Sequence, residues 1–510
     1  MGDLSLESIA EPRTVSAGAV RTLARDETGD LPLCVDLDGT LIQTDLLVEG
    51  LVAILTNRRL LGKLPRLFAT RRAGFKRNVA ALAAIDASLL PYNRPLLAYL
   101  REQKASGRRL VLATAADQCV AHAVAEHLDL FDEVISSDGE HNLKGEAKAR
   151  ALVARFGPRG FSYIGNESSD LPVWRAARSA IVVNAPRAVR EEVDRSVPVE
   201  ARFDEQPSLF RAALRAMRPH QWAKNVLVFV PLIMAHAVTD LTGWCNALAM
   251  FLAFCATASG IYLVNDLADL AADRQHPRKR HRPLASGALP LGMGAGLACV
   301  LLAVGFSLSA TIGASVVVGI YAIASISYSL ALKELPLVDV FMLAGLYTIR
   351  VLGGGVATGH RASLWLVAFS GFLFLGLALI KRTEEMAAVA RSGGSRTAGR
   401  RGYFPGDVGI LQTFGCSATF ASGVVLALFV GSDAASSRYA TPELLWGIVP
   451  LILFWQCRLW LSTARGHMHD DPIVYATRDW VSWIVVGCIF ALVAAATIGM
   501  PFSFLGLEQP

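Results

Sequence analysis

The chain has 510 residues, of which 53% are hydrophobic and only 18% are charged. This balance excludes an ordinary soluble protein and indicates a membrane protein, and the length exceeds that of one ordinary domain. The formal net charge of +6 is modest, and no nucleic-acid partner is expected from it.

Polar and apolar residues are unevenly distributed along the chain. Residues 1–205 have the mixed composition of a soluble domain, whereas beyond about residue 220 long apolar runs alternate with short polar loops. The first 30 residues are polar and carry no secretory signal, so the N-terminal domain is expected in the cytosol. The predicted boundaries are a tail over 1–29, a soluble domain over 30–205, an interfacial linker helix over 206–221 and a membrane domain over 222–505.

Each apolar run approaches the roughly 20 residues that cross a bilayer. Nine spans are predicted, near 222–238, 244–265, 288–308, 312–331, 336–356, 363–380, 409–431, 443–463 and 481–504. With a cytosolic N-terminus, the inner loops hold 14 Lys or Arg and the outer loops hold two, Arg361 and Arg438. The positive-inside rule therefore supports a bacterial inner-membrane protein with a periplasmic C-terminus.

The linker before the first span predicts an amphipathic helix at the membrane surface. Its apolar residues fall on one face and its arginines on the other, as in interfacial helices. A linker resting on the lipid headgroups is one interpretation, and a direct phosphate contact from Arg218 or Lys224 is the other.

An acidic stretch follows the second predicted span. Asp266, Asp269 and Asp273 are spaced i, i+3, i+7, so on a helix they share one face. Carboxylates at the rim of a bilayer are costly unless something compensates them, and oxygen ligands suit Mg²⁺ bound to a diphosphate. Basic residues that can pair with phosphate follow at once, namely Arg274, Arg278, Lys279 and Arg282. A solvated helix end is the alternative.

Further polar residues fall at the same predicted cytosolic face. The candidates for substrate binding are Lys224, Asn225, Tyr328, Lys333 and Lys381, with Arg350 deeper in the fifth span. An ionisable residue inside the membrane is a functional candidate by default. The alternative for Arg350 is a buried pair with a carboxylate, and for Lys381 it is the basic character of any inner loop.

The acidic stretch resembles the UbiA superfamily of intramembrane prenyltransferases. Asn265, Asp269 and Asp273 match its Asn-x-x-x-Asp-x-x-x-Asp signature, and the resemblance covers about 215–505. It implies an all-α bundle of nine transmembrane helices around a central cavity. The family's second aspartate-rich motif is reduced here to Tyr328, Lys333 and Asp339.

The chain is most similar to the branch that makes decaprenylphosphoryl-5-phosphoribose from phosphoribosyl diphosphate and a polyprenyl phosphate. The matching stretches are 218–225, 262–266, 273–280, 328–333 and 349–355. This resemblance implies Mg²⁺ held by Asn265, Asp266, Asp269 and Asp273, with Asp266 and Asp269 catalytic. The metal would neutralise the leaving diphosphate, and the lipid phosphate needs no general base because it is already an anion.

The soluble domain carries four ordered motifs, each at the predicted end of a strand or the start of a helix. They are Asp36-Leu-Asp38-Gly-Thr, the strand ending at Thr114, Lys144 before a helix, and the acidic loop from Asn166 to Asp170. They resemble the haloacid dehalogenase (HAD) phosphatase family over about 30–200. The resemblance implies a multidomain α/β plus all-α protein, whose first domain is a Rossmann-like parallel sheet with a helical cap over about 46–95.

The HAD resemblance also implies roles for these residues. Asp36 is the expected nucleophile and Asp38 the general acid and base, while Thr114 and Lys144 hold phosphoryl oxygens. Asp36, Asp38, Asn166 and Asp170 are expected to hold Mg²⁺. The family usually has Asp where this chain has Asn166, which can bind the metal through its carbonyl oxygen but brings no charge.

Together the two resemblances predict a bifunctional, Mg²⁺-dependent membrane enzyme. It would form polyprenyl-phosphoryl-phosphoribose and then remove the 5-phosphate, giving a pentose donor for surface glycans. Two other function classes stay open: an aromatic prenyltransferase with a regulatory or unrelated HAD domain, and a non-catalytic anchor that displays a phosphatase. The sequence leaves a homo-oligomer open.

Overall fold

The computed structural model describes residues 31–57, 60, 62, 72–138, 141–204, 208–391, 402–468 and 472–499. The predicted tail over 1–29 lies outside the described residues, as do parts of the predicted cap and of the loop over 381–408. The chain forms two compact units: a first unit of residues up to 213 together with 266–294, and a second unit of 214–265 and 295 onward.

The first unit is built on a six-stranded sheet. Its strands are β1 (Leu33–Val35), β2 (Leu110–Asp117), β3 (Glu133–Ser137), β4 (Ser162–Gly165), β5 (Ser179–Val183) and β6 (Val199–Phe203). The order is β3-β2-β1-β4-β5-β6, and every neighbouring pair is parallel. The predicted Rossmann-like parallel sheet is confirmed.

Helices cover both faces of this sheet. They are α1 (Leu46–Thr56), α2 (Arg72–Ala83), α3 (Arg94–Ala105), α4 (Gln118–Leu128), α5 (Glu146–Phe156), α6 (Leu171–Ala176) and α7 (Arg187–Ser196). Along β1, Leu33 and Val35 enter one hydrophobic core and Cys34 enters the other. A strand that is buried on both faces is typical of a parallel sheet.

The strand order reverses between β1 and β4, which extend the sheet in opposite directions. In open α/β sheets, ligands bind beyond the carboxyl ends of the strands at such a reversal. Asp36 directly follows β1, and Asn166 directly follows β4. The fold therefore brings the two HAD loops to one place.

The rest of the chain is helical. Its helices are α8 (Leu209–Met217), α9 (Val230–Met234), α10 (Leu241–Ala268), α11 (Leu270–Gln275), α12 (Leu291–Thr311), α13 (Ser315–Leu330), α14 (Val338–Thr358), α15 (Leu364–Arg391), α16 (Val408–Val430), α17 (Asp433–Ser436), α18 (Ile448–Ala464), α19 (Pro472–Arg478) and α20 (Trp480–Ile498). Helix α8 exposes Leu209, Phe210 and Leu214, which its predicted interfacial role requires.

Seven helical segments within the described residues are long and apolar enough to cross a membrane, and they make this a membrane protein. They contain α10, α12, α14, α15, α16, α18 and α20. Nine spans were predicted. The span near 312–331 is the shorter apolar helix α13, and the span near 222–238 is a 3₁₀ segment, Pro219–Phe229, followed by the five-residue α9. Pro219 and Pro231 each start a new segment, because proline cannot continue a helix from the preceding turn.

Three hydrophobic cores lie among the described residues of the second unit, and two of them include α14. One joins α10, α13 and α14 through Phe254, Tyr321 and Leu346, and the other joins α14, α15 and α18 through Tyr347, Phe374 and Leu459. Helix α14 contributes to both cores. A polar residue on α14 is therefore surrounded by other helices, where its charge needs a partner.

Candidate functional site

An open cavity of about 1090 Å³ lies at the carboxyl edge of the sheet in the first unit. We call it the aspartate cavity, and its lining includes Asp36, Asp38, Lys144 and Asn166. Helices α1 and α2, from the predicted cap range, add apolar residues to the wall. Lys76 of α2 also lines the cavity, and burial lowers the pKa of its ammonium group.

Asp36 lies at the base of the cavity and is held by two donors. The Lys148 ammonium lies 2.6 Å from its Oδ1, and the Thr40 hydroxyl donates to its Oδ2 at 3.2 Å. Burial raises the pKa of Asp36 to about 6, because it outweighs the opposing effect of the Lys148 ammonium. The Asp170 carboxylate acts in the same direction as burial.

Asp38 lies two residues farther along the same loop, in a different environment. Its Oδ1 accepts a hydrogen bond from the Leu46 N–H at the start of α1, at 2.9 Å. Burial, with a further contribution from the Asp45 carboxylate, raises the pKa of Asp38 to about 7. A carboxyl group that keeps its proton near neutral pH suits the general acid role predicted for it.

Lys148, for which the sequence predicts no role, links the two acidic loops. Its ammonium is 3.7 Å from Asp170 Oδ1 and donates to the Tyr163 hydroxyl at 2.8 Å, and that hydroxyl donates to Asp170. Burial disfavours the charged lysine, but the Asp36 and Asp170 carboxylates outweigh it and raise the pKa of Lys148. The site therefore holds a charged lysine beside the expected nucleophile.

The lysine predicted for this role has a different environment. Lys144 is 52% exposed and pairs with Glu167 at 3.0 Å on the cavity rim. Lys148 follows one turn later, and α5 buries it together with Ala149 and Leu152. A lysine on the apolar face of an amphipathic helix was the sequence signal that could have identified it.

Thr114 and Asp170 are buried beside the cavity. The Thr114 hydroxyl oxygen accepts a hydrogen bond from the Ala116 N–H at 3.0 Å, within β2 where its register with β3 shifts. Asp170 Oδ2 accepts hydrogen bonds from the Asn166 and Glu167 N–H groups at 3.0 and 3.2 Å. Asp170 thus fixes the loop that carries Asn166.

Asn166 packs against the nucleophile loop with its amide. A Cβ atom added to Gly39, which has φ +73°, would lie 2.3 Å from Asn166 Nδ2, so only glycine fits there. Asn166 Oδ1 is buried and has no hydrogen-bond partner among the described residues. A free amide oxygen beside carboxylates is a suitable Mg²⁺ ligand. As they stand, the described residues contain no group of three or more His, Cys, Asp or Glu poised to hold a metal.

The predicted acidic stretch, 265–282, also lies mostly in the first unit. The helix is interrupted at Asp269, between α10 and α11, rather than continuous as predicted. The Asp273 N–H still donates to the Asp269 carbonyl at 2.8 Å, which preserves the helical spacing. Asp266 and Asp273 are both buried, and Asp269 is half-buried.

Basic residues of the same stretch compensate these acids. Arg282 Nη1 donates to Asp266 Oδ1 at 3.1 Å and to Asp273 Oδ2 at 2.6 Å, and Lys279 Nζ lies 4.0 Å from Asp273 Oδ1. Arg278 is exposed. Arg282 thus occupies the position between the two carboxylates that the sequence analysis expected for Mg²⁺.

Arg274, predicted to contact phosphate, has another partner. Its guanidinium forms a two-point pair with Glu49 of α1, at 2.5 and 3.1 Å, and both side chains are less than 10% exposed. Its Nε donates to the Ala285 carbonyl at 3.1 Å. Arg274 of α11 therefore contacts both Glu49 in the HAD domain and the loop that follows α11.

In the second unit, Arg350 of α14 is 5% exposed and lies among aromatic rings. Its Nε donates to Asn225 Oδ1 at 2.7 Å and its Nη2 donates to the Tyr321 hydroxyl at 3.1 Å. The guanidinium lies over the Tyr347 ring, 5.6 Å from its centre, and the Lys224 ammonium lies at the same distance from that centre. Among the described residues Arg350 forms no ion pair, so the alternative of a carboxylate partner is not realised.

We call Lys224, Asn225 and Arg350 the cation cluster. The other predicted residues of the second unit lie on α10, α13 and α15 and in the short 3₁₀ segment after α13. Asn265 donates to the Ser329 hydroxyl at 2.8 Å. Tyr328, Lys333 and Lys381 are half-buried.

Asp339, the remnant of the second aspartate-rich motif, is neutralised within the protein. It is fully buried, lies 2.5 Å from Arg382 Nη2 and accepts a hydrogen bond from the Tyr403 hydroxyl at 2.5 Å. Arg382 also pairs with Glu385, one turn later on α15. This arrangement makes Asp339 a structural partner of Arg382.

Comparison with known proteins agrees with both resemblances. Residues 226–470 match the UbiA prenyltransferase family and residues 33–175 match the haloacid dehalogenase-like hydrolases. The chain is 37% identical over 476 residues to the uncharacterized protein y4nM of Sinorhizobium fredii. These residues are 92% of this chain and 90% of that protein. The chain belongs to the UbiA prenyltransferase family. This UbiA protein also carries an N-terminal HAD domain.

Other relatives match a smaller part of the chain. The nodulation protein NoeC of Azorhizobium caulinodans is 35% identical over 285 residues, which are 56% of this chain and 91% of that protein. A decaprenyl-phosphate phosphoribosyltransferase of Corynebacterium glutamicum is 36% identical over 215 residues, 41% of this chain and 65% of that protein. The predicted UbiA and HAD resemblances are confirmed, and phosphoribosyltransferases are among the relatives.

Proposed function

We propose that this UbiA protein transfers 5-phosphoribose from phosphoribosyl diphosphate to a polyprenyl phosphate. The HAD domain then removes the 5-phosphate, so the final product is polyprenyl-phosphoryl-ribose. We place both steps at the cytosolic face of the bacterial inner membrane, because the sugar donor is soluble. The C-terminus would lie in the periplasm.

The burial of Arg350 without a carboxylate partner supports this transfer best. An uncompensated charge between helices is costly, so the site gains most from an anionic ligand. Both substrates of the proposed reaction carry phosphate, whereas an aromatic prenyltransferase has a diphosphate on one substrate only. The cation cluster would hold a phosphate, with Arg350 giving two planar donors.

The carboxylates of the acidic stretch would bind the metal ion that accompanies the diphosphate. Asn265, Asp266, Asp269 and Asp273 supply the oxygen ligands that Mg²⁺ prefers, and Mg²⁺ would offset the charge of the departing diphosphate. Arg282 and Lys279 already contact these acids and would turn to the diphosphate oxygens when the metal is bound. Arg278 is exposed nearby in the chain and is free to reach a phosphate.

The transfer needs positioning more than proton chemistry. The bond from the anomeric carbon to the diphosphate oxygen breaks, and a lipid phosphate oxygen forms the new bond to that carbon. Since this oxygen is anionic at neutral pH, no side chain has to remove a proton. The expected rate gain comes from orientation and from charges fixed in a site that excludes water.

In the second reaction, Asp36 attacks the 5-phosphate and the bond from phosphorus to the ribose oxygen breaks. Asp38, whose pKa of about 7 keeps it partly protonated, gives its proton to that oxygen. Water then cleaves the aspartyl phosphate, and Asp38 takes up the released proton. Thr114 and Lys144 would hold phosphoryl oxygens, and the Lys144 and Lys148 ammonium groups would offset their charge. Asp36, Asn166 and Asp170 would hold Mg²⁺.

A radiolabel assay tests the transfer. Purified protein in liposomes receives polyprenyl phosphate, Mg²⁺ and phosphoribosyl diphosphate labelled in the ribose. We expect label in the lipid fraction, and we expect Asp269→Asn to remove it. Label that stays aqueous while a prenyl diphosphate reacts with an aromatic acceptor would reject the proposal in favour of an aromatic prenyltransferase. If no lipid product forms with any donor, the alternative of a non-catalytic membrane anchor remains.

A further inference from the structure

The wall of the aspartate cavity contains a segment from outside the HAD sequence. Gly287, Pro290, Leu291, Gly292 and Met293 all line the cavity that contains Asp36. They follow the acidic stretch and lead into α12, a helix long and apolar enough to cross a membrane. The HAD pocket is therefore completed by the start of a candidate membrane span within the first unit.

Two contacts hold this segment against the nucleophile loop. The first is the Arg274–Glu49 pair, in which Glu49 also accepts a hydrogen bond from the Thr44 hydroxyl at 3.0 Å. The second is Gly287, which has φ +77°. A Cβ atom there would lie 2.3 Å from the Gln43 carbonyl oxygen, so two backbones meet without room for a side chain.

These contacts act on the loop that carries Asp38. Gln43 and Thr44 lie between Asp38 and α1, and the Gly39 N–H donates to the Thr44 carbonyl at 3.2 Å. The Leu46 N–H at the start of α1 donates to the Asp38 carboxylate itself. The segment from Arg274 to Met293 is thus part of the structure that positions the predicted general acid.

The segment differs chemically from the sheet edge that lines the same cavity. The sheet edge presents carboxylates and lysines, whereas Pro290, Leu291 and Met293 present apolar surface. The volume of about 1090 Å³ is slightly above the roughly 300–1,000 Å³ that ligand pockets span, and is more than a pentose phosphate needs. One side suits a phosphate monoester, and the other suits an apolar group attached to it.

We propose that residues 287–293 are the substrate-selecting wall of the phosphatase pocket, and that they favour a phosphate monoester carried on a polyprenyl lipid over the same monoester in solution. This rests on the proposed function, whose first step supplies such a lipid and whose second step hydrolyses it. The wall begins a candidate membrane span, where the first isoprene units of a lipid-linked sugar phosphate would lie. Binding energy from this remote group would raise the rate for the lipid substrate.

The test compares two probes that share one phosphate monoester. Full-length protein in detergent hydrolyses either ribose 5-phosphate or a short-chain polyprenyl-phosphoryl-5-phosphoribose, and phosphate release is measured. The first variant is Met293→Gln, which removes half-exposed apolar surface from the wall. The second is Gly292→Glu, since a Cβ atom there meets nothing within 4 Å. Leu55→Gln is the matched control, because Leu55 is 55% exposed and does not line the cavity.

We expect the wild type to prefer the lipid probe. Met293→Gln should lower kcat/KM for that probe about tenfold, as expected for losing one side chain's apolar contact, and should leave ribose 5-phosphate hydrolysis within about twofold. Gly292→Glu should lower the lipid reaction further, and Leu55→Gln should change neither. Retained hydrolysis of ribose 5-phosphate shows that each variant is folded.

Failure of this inference and failure of the proposed function give different results. A wild-type preference for the lipid that both wall variants leave unchanged would overturn the selecting role of 287–293 while supporting the phosphatase step. Equal loss on both probes, with an unchanged melting temperature, would also overturn it. If the wild type hydrolyses neither probe, the proposed phosphatase step itself is wrong, and the inference falls with it.

Discussion

Arg350 and Arg382 are both buried arginines of the second unit, yet their surroundings differ. Arg382 is neutralised by Asp339 and Glu385, whereas Arg350 has an amide oxygen, a hydroxyl and aromatic rings around it. A buried charge with a protein partner contributes to the fold, and a buried charge without one is available to a ligand. We propose that the difference separates a structural arginine from a substrate-binding one, although the sequence predicts only Arg350 within a span and Arg382 just after one.

The strongest effect on stability is expected from the paired arginine. Arg382→Gln leaves the fully buried Asp339 without its counter-charge, which should cost roughly 3–5 kcal/mol. Thermal unfolding in detergent measures the loss. The double variant Arg382→Gln with Asp339→Asn removes both charges and should recover much of it. An unchanged melting temperature together with lost transfer would instead make Arg382 a ligand-binding residue.

The opposite pattern is expected at the unpaired arginine. Arg350→Gln removes a charge that no described carboxylate needs, so the melting temperature should change little. Transfer of labelled phosphoribose should fall roughly 10²–10³-fold, as when one charge-stabilising donor is removed from an active site. Arg350→Lys keeps the charge but loses the planar fork, and should be intermediate. Turnover within twofold of the wild type in Arg350→Gln would break the comparison.

The Arg274–Glu49 pair extends the comparison to the first unit. Because both side chains are buried and meet at two points, either single variant to Gln should lower stability by roughly 1–3 kcal/mol. The double variant should cost much less than the sum of the singles, because the two residues share one interaction. Hydrogen exchange of the α1 amides measures the loss of stability around Glu49. Additive losses of stability would mean that Arg274 and Glu49 are not coupled, and would favour the predicted contact of Arg274 with phosphate.

The smallest expected effect concerns Arg108 and Glu200 at the sheet edge. Burial opposes ionisation of Glu200, but the Arg108 guanidinium at 2.6 Å and hydrogen bonds outweigh it and hold the pKa of Glu200 below its usual value. The pair therefore stabilises the fold above the unfolded pKa of about 4.3, and that contribution is lost as pH falls through the lower folded pKa.

Removing the guanidinium should remove this part of the pH dependence. Between pH 7 and pH 3, Arg108→Gln should lose roughly 1 kcal/mol less stability than the wild type, since its hydrogen-bonded charge pair is already absent. Hydrogen exchange of the β4 and β5 amides at the two pH values measures the difference. A parallel loss in both proteins would show that Glu200 does not depend on Arg108.

Local patterns in the sequence predicted most of the HAD domain. Asp36 and Asn166 each follow a short apolar strand, and parallel strands bring such residues to one edge. Lys148 was missed because its motif neighbour Lys144 is the more prominent lysine, and only the register of α5 reveals which one is buried. The helical register of α5 therefore identifies the buried lysine, which the spacing of the motif alone does not.

The second unit was less predictable, because its contacts join residues far apart in the chain. Asp339 and Tyr403 meet across 64 residues, and Arg350 reaches Asn225 across 125. Hydropathy located nine apolar runs, of which 312–331 forms the shorter helix α13 and 222–238 is divided by Pro231. Which buried charge has a partner depends on how the helices pack, and no local pattern encodes it.

The most direct test of the account is the chemical identity of the lipid product. Wild-type protein and Asp36→Asn are each incubated with polyprenyl phosphate, phosphoribosyl diphosphate and Mg²⁺, and the lipids are weighed by mass spectrometry. We expect polyprenyl-phosphoryl-ribose from the wild type and a lipid one phosphate heavier from Asp36→Asn. The same product from both proteins, or no pentose on the lipid in either, would contradict a two-step enzyme.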